Sequence, residues 1–467
     1  MSGDGVSGDG LPPAHEVVER ALSLAGDRCV VIVNDSSHAD VRFANNTTTT
    51  SGERRDRSVT VVRFVPQDGG TAVGVASSSG DVDVADLVES ARRDAQGSPA
   101  ATDEAPLIGD HADADFTDAP TTTSLGDLRP LVEQLAPALG RARGADRVLS
   151  GFAEHQFDTV YLGTSAGLRR RHAQPTGSLQ VVARDPGGTR SAWVGTGTPD
   201  LGSVSVDELE AHLVQRLAWA ERSVALEAGR YEVVLPPGAV TDLMVYLTES
   251  ASGREAEEGR TVFSAPDGKT KLGSTLSALP FELRSDPAEP GLECQPFLVA
   301  ESSGPDESVF DNGADLERTA WVSEGKLSRL RYHRAGAARS GQPFTASIDN
   351  LVLELPGAPG SVEDLVARTE YGLLLTCLWY IREADPATLL LTGLTRDGVY
   401  LVEHGEVTGA VNNFRFNESP VDLLGRVSEA GESVRSLGRE FGEWVNRTRM
   451  PPLRVPDFNM STTSAAS

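Results

Sequence analysis

Residues 378–416 read LWYIREADPATLLLTGLTRDGVYLVEHGEVTGAVNNFRF, and the prediction of the fold begins here. The apolar residues of this stretch form short runs or alternate with polar ones, and Gly, Asp or Asn separates the runs. Short β-branched runs between such turn residues are typical of consecutive antiparallel strands. Similar runs occur at 327–333, 350–355 and 372–381, so the second half is predicted to form a large antiparallel sheet or barrel.

Helical patterns accompany these strands. Apolar residues recur at helical spacing within 238–260, and two further helices are predicted at 362–369 and 421–447. We therefore expect a strand-rich C-terminal domain over residues 229–456, with helices packed on its sheet and a disordered tail at 457–467.

The first half of the chain mixes both patterns. A short amphipathic helix is predicted between Pro13 and Gly26, and longer helices at 128–143 and 206–226. The β-branched runs among them predict antiparallel strands, so the fold class is α+β, with an N-terminal mixed α/β domain over residues 13–228.

Two segments of the first half lack such patterns. Residues 1–12 are Gly-rich and acidic, and are predicted to be a disordered tail. The segment at about 97–127 concentrates Asp among Pro, Ala and Thr and contains no Lys or Arg, which predicts a solvated, mobile loop.

Charge and composition limit the function. The 467-residue chain has 42 Lys and Arg against 68 Asp and Glu, a formal charge of −26, which disfavours binding to nucleic acid. The N-terminus lacks a signal-peptide pattern, and the most apolar window, 372–381, is too short to span a membrane, so a cytoplasmic protein with no membrane role is expected. Three distant cysteines, Cys29, Cys294 and Cys377, predict reduced, mostly buried thiols rather than disulfides or a Cys-rich zinc site.

Residues 15–20, HEVVER, come within one position of the HExxH zinc motif. That motif needs two histidines on one helical turn, but Glu19 stands where the second should be. We interpret Glu16 and Glu19 as acidic residues near a helix N-terminus.

Other short motifs are also incomplete. GTSAG at 163–167 fits the nucleophile-elbow pattern, but Pro175 and Gly177 follow it, which predicts a turn between strands. DGKT at 267–270 lacks the first glycine of a phosphate-binding loop and is interpreted as a surface turn.

Two further clusters carry possible metal ligands. The segment 110–118 has His111, Asp113, Asp115 and Asp118, but Asp118 stands where a calcium loop requires glycine. Glu208 and His212 are four residues apart on a predicted helix, without a third ligand nearby in the sequence, and are interpreted as a solvent-facing pair.

Longer stretches resemble the TldD/PmbA family. The resemblance is carried by 40–65, 270–274, 283–287, 347–367 and most specifically 378–416, and it extends from about Pro12 to Pro456. It implies one of two related subunits, TldD-like and TldE-like (PmbA), that together resemble a cytoplasmic zinc metallopeptidase acting on unfolded peptides, including peptide-antibiotic precursors.

The resemblance also locates the metal helix of the catalytic subunit. Its HExxxH motif corresponds to the helix at 238–260, where Thr248, Glu249 and Gly253 stand near the ligand positions and no histidine occurs. A hydroxyl, a carboxylate and a glycine cannot hold zinc tightly. A late cysteine completes the site in TldD-like chains, and Cys377 lies well before that region, so the role is not carried over.

The prediction is therefore a non-catalytic TldE-like subunit without catalytic, cofactor or metal residues of its own. It implies a TldD-like catalytic partner that holds the zinc, and an unfolded peptide substrate. In the TGLTRDG segment, Thr392, Gly393, Arg396 and Gly398 are candidates for a turn that lines or supports a peptide cleft, with a purely structural hairpin as the alternative.

Two other functions remain open. The chain could be a self-sufficient metallopeptidase that uses His15 or an unrecognised site, or a stand-alone peptide-binding or scaffold protein.

Overall fold

The computed structural model describes residues 10–464. Most of the predicted tail 1–12 and the last three residues therefore lie outside the described residues. The described helices are α1 (Ala14–Ala25), α2 (Val84–Gly97), α3 (Arg129–Gly144), α4 (Val206–Trp219), α5 (Pro237–Glu249), α6 (Gly253–Glu257), α7 (Arg334–Ser340), α8 (Val362–Ala367) and α9 (Pro420–Arg426).

The first half contains one six-stranded antiparallel sheet. Its spatial order is β3-β2-β1-β4-β5-β6, so the first and fourth strands lie together at its centre. The strands are β1 (Cys29–Ala44), β2 (Thr47–Gln67), β3 (Gly70–Ser79), β4 (Val148–Thr164), β5 (Arg169–Arg184) and β6 (Ser191–Gly197).

The remaining described strands all lie after residue 222. They are β7 (Ser223–Val224), β8 (Gly229–Leu235), β9 (Ser264–Ala265), β10 (Lys269–Thr270), β11 (Glu282–Ser285), β12 (Thr319–Ser323), β13 (Lys326–Leu327), β14 (Leu351–Glu354), β15 (Tyr371–Leu375), β16 (Leu378–Asp385), β17 (Leu390–Thr395), β18 (Val399–Glu403), β19 (Glu406–Val411), β20 (Phe414–Glu418), β21 (Glu429–Ala430), β22 (Val434–Ser436), β23 (Thr448–Met450) and β24 (Leu453–Thr463).

These strands form two larger sheets and the small β9–β10 hairpin. One sheet has six strands in the order β13-β12-β11-β14-β23-β22, and the other has ten, ordered β16-β17-β20-β24-β8-β15-β18-β19-β7 with β21 beside β24. The predicted α+β fold with a strand-rich second half is confirmed. The sheets are not wholly antiparallel, however, because β8–β15, β14–β23 and β7–β19 pair in parallel.

Period-two alternation explains the packing of the first sheet. Along β1, Val31 and Val33 pack with α1 and α2, whereas Val30 and Ile32 face the opposite side. That opposite face packs against Phe297 and other residues of the second half. This part of the first sheet is thus buried between its own helices and the C-terminal half, whereas residues 47–56 of β2 are largely exposed.

Helix α5 lies inside the second half. Eight of its residues are buried, and they pack with strands of both the six-stranded and the ten-stranded sheet. On the far side of the larger sheet, Val234 and Tyr400 pack with α8 and with Trp219 at the end of α4. A helix enclosed in this way positions its last turn firmly.

Several predicted boundaries are wrong. The helix expected at 206–226 ends at Trp219, because the chain turns to place β7 beside β19. The helix expected at 421–447 is only α9; beyond it, β22 and β23 pair with each other. The tail expected at 457–467 continues β24 to Thr463, with Phe458 and Met460 fully buried. The domain boundary near residue 229 remains a prediction.

The acidic segment between α2 and α3 has no helix or named strand, as the loop prediction expected, and most of its residues are at least partly exposed, but the loop is fixed to the fold. Phe116 and Thr123 are buried, and Asp115 forms an ion pair with Arg171 of β5. The backbone N–H of Asp113 donates to the Arg169 carbonyl, and the N–H of Arg169 donates to the His111 carbonyl, which holds the segment along the edge of the first sheet. In the described part of the chain, no helix is long and apolar enough to cross a membrane.

Candidate functional site

The last turn of α5 is held by an arginine from a neighbouring segment. Arg331 is buried, and its guanidinium donates to the backbone carbonyls of Thr248 and Glu249, the latter at 2.7 Å. Its Nε donates to the carboxylate of Asp306. The cation therefore satisfies carbonyls that every helix C-terminus leaves without intrahelical donors.

Gly253, at the start of α6, packs directly against an aromatic ring. A Cβ atom added at Gly253 would lie 2.1 Å from Cζ of Tyr332, well inside van der Waals contact. Tyr332 is buried, and its hydroxyl donates to Glu257 at 2.9 Å. The ring thus fills the space that any larger residue at position 253 would need.

The three predicted metal-helix positions do not fit a zinc ion. The Thr248 hydroxyl donates to the carbonyl of Val245 at 3.0 Å, the Glu249 side chain is exposed, and Gly253 has no side chain. Zinc needs several N, S or O ligands that converge on one point. Across residues 10–464, no three His, Cys, Asp or Glu side chains are grouped to hold a metal ion.

A cavity of about 310 Å³ opens beside the same turn of α5. Its walls are largely apolar and include Val245, Phe297, Trp321 and Ile348, while Glu249, Glu307 and Arg331 supply charge. Burial, followed by the nearby Asp306, raises the pKa of Glu307. Pockets of this size with apolar walls and a few polar groups are typical of ligand sites.

A second cavity of about 490 Å³ adjoins the first, and Leu316 and Ile348 line both. One wall includes Thr319 and Ala320 of β12, and the facing wall includes residues 343–346. β11 pairs with one edge of β12, whereas β13 covers Val322 and Ser323 on the other. The Trp321 carbonyl also accepts backbone hydrogen bonds from Ser328 and Arg329, so the uncovered part of β12 is Thr319 and Ala320. The two cavities therefore form a groove beside an incompletely covered strand edge. We call this the β12 groove.

A buried carboxylate lies near the beginning of α5. Asp242 is fully buried and accepts hydrogen bonds from the backbone N–H groups of Arg439, Glu440 and Phe441, at 2.9–3.2 Å. Burial raises the pKa of Asp242 to about 7, although these donors favour the charged form. The side chain fixes the segment between β22 and β23 to the helix.

The four residues predicted to line a cleft do not reach the β12 groove. Thr392 and Gly393 lie inside β17, where a Cβ at Gly393 would meet the ring of Phe416 at 2.6 Å. Arg396 and Gly398 lie between β17 and β18, and these strands do not pair with each other. The hairpin interpretation is therefore wrong, and their link to peptide binding remains only a prediction.

Both edges of β17, which contains Thr392 and Gly393, are occupied by neighbouring strands of the ten-stranded sheet. β17 pairs with β16 and β20, so the segment after it crosses to another part of that sheet. At the crossing, Gly398 has φ of +149°, and a Cβ there would lie 2.0 Å from the Thr376 hydroxyl. Only glycine fits this close approach.

The residues of the incomplete motifs form ion pairs or turns within the fold. Glu19 of HEVVER pairs with Arg169, and GTSAG contains the tight turn between β4 and β5, as predicted. DGKT lies at the β9–β10 hairpin. His111 contacts Asp113 at 2.7 Å, within the incomplete calcium-loop pattern at 110–118.

The cysteines are free and buried, as predicted. Burial raises the pKa of the Cys29 thiol to about 11 and that of Cys294 to about 12, so neither is a reactive thiolate at neutral pH. Burial also raises the pKa of Cys377.

The sequence analysis missed the side chains that define the site. Arg331 and Tyr332 lie in a segment interpreted only as a strand, and their roles depend on contacts far along the chain. Asp242 had a visible signal, since it is the one charged residue among the apolar positions 239–247.

Comparison with known proteins gives consistent results. The sequence profile described as "PmbA/TldA metallopeptidase C-terminal domain" matches residues 228–462, half of the chain. No protein with a curated description matches by sequence. Among solved structures, TldE from Thermococcus kodakarensis has a TM-score of 0.75 at 17% identity, covering 95% of this chain and 98% of its own.

Two further structures share the fold. A candidate modulator of DNA gyrase from Thermotoga maritima has a TM-score of 0.74 at 16% identity, covering 95% of this chain and 99% of its own. Another from Bacteroides thetaiotaomicron has a TM-score of 0.74 at 15% identity, covering 98% of this chain and 100% of its own. The fold is thus shared along nearly the whole length of each chain.

Proposed function

Because this chain belongs to the PmbA/TldA metallopeptidase family, we propose that it is a TldE-like, non-catalytic subunit. Its partner is a TldD-like catalytic chain that holds the zinc. Together they cleave unfolded peptides, such as precursors of peptide antibiotics, in the cytoplasm.

The contact between Gly253 and Tyr332 is the observation that carries the proposal. A ligand side chain at position 253 would overlap the Tyr332 ring, and the Arg331 guanidinium already satisfies the end of α5. The end of the helix is therefore built to be stable without a metal ion. Restoring the HExxxH motif would require Thr248→His and Gly253→His, together with a smaller residue at position 332.

The β12 groove supports a role in peptide binding. Extended peptides bind by adding a strand to an uncovered sheet edge, and the outer edge of Thr319 and Ala320 is such an edge in the described residues. A subunit without catalytic groups can contribute in this way by holding substrate near its partner's active site. The formal charge of −26 makes nucleic acid an unsuitable partner.

Co-expression with a TldD-like chain that carries HExxxH tests the proposal. We expect the two chains to co-purify, and an unfolded fluorogenic peptide to be cleaved only by the pair. Zinc measured by mass spectrometry should accompany the catalytic chain alone.

The alternatives predict other results. A self-sufficient peptidase would show stoichiometric zinc and chelator-sensitive cleavage in the purified chain, and His15→Ala would abolish that cleavage if HEVVER held the metal. A stand-alone peptide-binding protein would bind unfolded peptide but neither co-purify with the TldD-like chain nor change its activity. Either result would overturn the proposal.

A further inference from the structure

We propose that the β12 groove selects extended peptides that carry a basic side chain, which enters the cavity beside α5. This inference rests on the proposed function and specifies the class of peptide that the subunit recruits. Three features support it: the strand edge, the shape of the cavity, and its charge.

The strand edge supplies main-chain recognition. Thr319 and Ala320 form one wall of the outer part of the groove, and no strand of the described chain covers their outer edge. The facing wall, residues 343–346, is tied to the fold by the pairing of Thr345 with Tyr332. A peptide in extended conformation can lie between these walls and pair with β12.

The inner cavity accepts a long side chain. In an extended peptide, alternate side chains point to the same side, so one of them can leave the outer groove past Ile348. Behind Ile348 the walls are apolar, with Phe297 and Trp321 among them. The methylene stem of Lys or Arg fits such walls while its charged end stays near polar groups.

The charge of the cavity favours a cation. Glu249 and Glu307 line it, and neither forms an ion pair with any described residue. Both side chains are accessible from solvent, although the cavity partly desolvates Glu307. The positive charge of Arg331 is paired with Asp306, and the nearby Asp349 with Arg447. Neither carboxylate thus has an ion-pair partner, although Arg331 acts on Glu307 from a greater distance, and a basic peptide side chain would supply one.

Fluorescence anisotropy with the purified full chain tests this directly. The probes are three fluorescein-labelled, unstructured ten-residue peptides that differ only at one central position, which is Lys, norleucine or Glu. We expect the Lys peptide to bind about fivefold more tightly than the norleucine peptide, with the Glu peptide weakest. The preference should shrink as salt is raised. Equal affinities for the three peptides would overturn the proposal.

Matched variants locate the binding. The double variant Glu249→Gln/Glu307→Gln should lose the preference for Lys over norleucine. The control Glu16→Gln/Glu406→Gln changes the net charge equally, at exposed residues of α1 and β19 outside the groove, and should retain it. Ile348→Trp, which narrows the entrance to the cavity, should weaken binding of all three peptides. An unchanged preference in the first variant, or unchanged affinity in the third, would contradict the assignment.

Thermal unfolding of each variant shows whether it is folded, and the carboxylate variants alter only exposed, unpaired side chains. The two proposals fail separately. If the chain binds Lys peptides but does not co-purify with a TldD-like chain, the proposed partner role is contradicted and the groove assignment is supported. If it joins and activates that chain without a Lys preference, the groove assignment fails and the partner role stands.

Discussion

Helix α5 is held at two places, once by an acidic and once by a basic side chain. Near its beginning, the buried Asp242 accepts three backbone N–H groups from residues 439–441. At its end, Arg331 donates to the carbonyls of Thr248 and Glu249. Asp242 belongs to the helix and fixes a distant segment. Arg331 belongs to a distant segment and fixes the helix.

The difference shows which groups remain available for ligands. Both Asp242 and Arg331 are used by the backbone or by a paired side chain, so neither can bind substrate without loss of structure. Carboxylates outside those contacts, Glu249 and Glu307, are free to act. Each of the following predictions disturbs one end of the helix.

Arg331→Ala should have the largest effect. It leaves Asp306 without its cation and removes a donor from the carbonyls of Thr248 and Glu249, so the free energy of unfolding should fall by about 3–5 kcal/mol. Urea denaturation measures the change. The control Arg318→Ala removes an exposed pair with Glu282 and should cost less than about 1 kcal/mol. Similar losses in both variants would show that Arg331 does not hold the helix.

Asp242→Ala should lower the free energy of unfolding by about 3 kcal/mol, because three N–H groups lose their acceptor in a buried site. Hydrogen exchange should quicken most at residues 439–441. Asp242→Asn keeps one acceptor oxygen and should cost less. Unchanged exchange at 439–441 in the Ala variant would show that Asp242 does not hold that segment against the helix.

Gly253→Ala should cost about 1–3 kcal/mol, because its Cβ overlaps the Tyr332 ring and the local structure must shift. Tyr332→Ala should relieve that overlap, so the double variant should lose less than the sum of the single losses. Denaturant unfolding of the wild type, the two single variants and the double variant gives a double-mutant cycle. Additive losses would mean that the two residues do not compete for space.

The effect of pH on the free energy of unfolding should be smaller than the losses above, and its sign follows from the raised pKa of Asp242. Its pKa is raised to about 7 in the folded chain, above the value near 4 of an unfolded Asp. The folded state therefore binds more protons between these values, and this contribution is complete below pH 4 and is lost as pH rises through 7. Between pH 6 and 7, Asp242→Asn should remove a slope of about 1 kcal/mol per pH unit. A wild-type slope equal to that of the variant would contradict the assignment.

The sequence predicted local features well where neighbours in the chain determine them. The β4–β5 turn at GTSAG and the strands within 378–416 follow from turn residues and alternation. The long helix predicted at 421–447 failed because β22 pairs with β23, which helical spacing cannot reveal.

The candidate site was predicted only in part. The family resemblance led to Thr248 and Glu249, which lie in the last turn of α5, and to Gly253, which begins α6. Arg331 and Tyr332 could not be found in this way, because their roles arise where a segment from elsewhere in the chain packs against the helix. The hairpin alternative for the TGLTRDG segment was wrong in another way, because its turn-forming residues mark a crossover inside a sheet.

The position of β24 has a consequence for how the chain folds during synthesis. This strand lies between β8 and β20 in the ten-stranded sheet, although most of the second half separates it from β8 in sequence. The emerging chain therefore cannot join the two parts of that sheet until residues 453–463 have left the ribosome. Contacts so distant in sequence slow folding and leave strand edges exposed meanwhile. The second half should thus depend on chaperones more than the first, whose sheet is complete by residue 197.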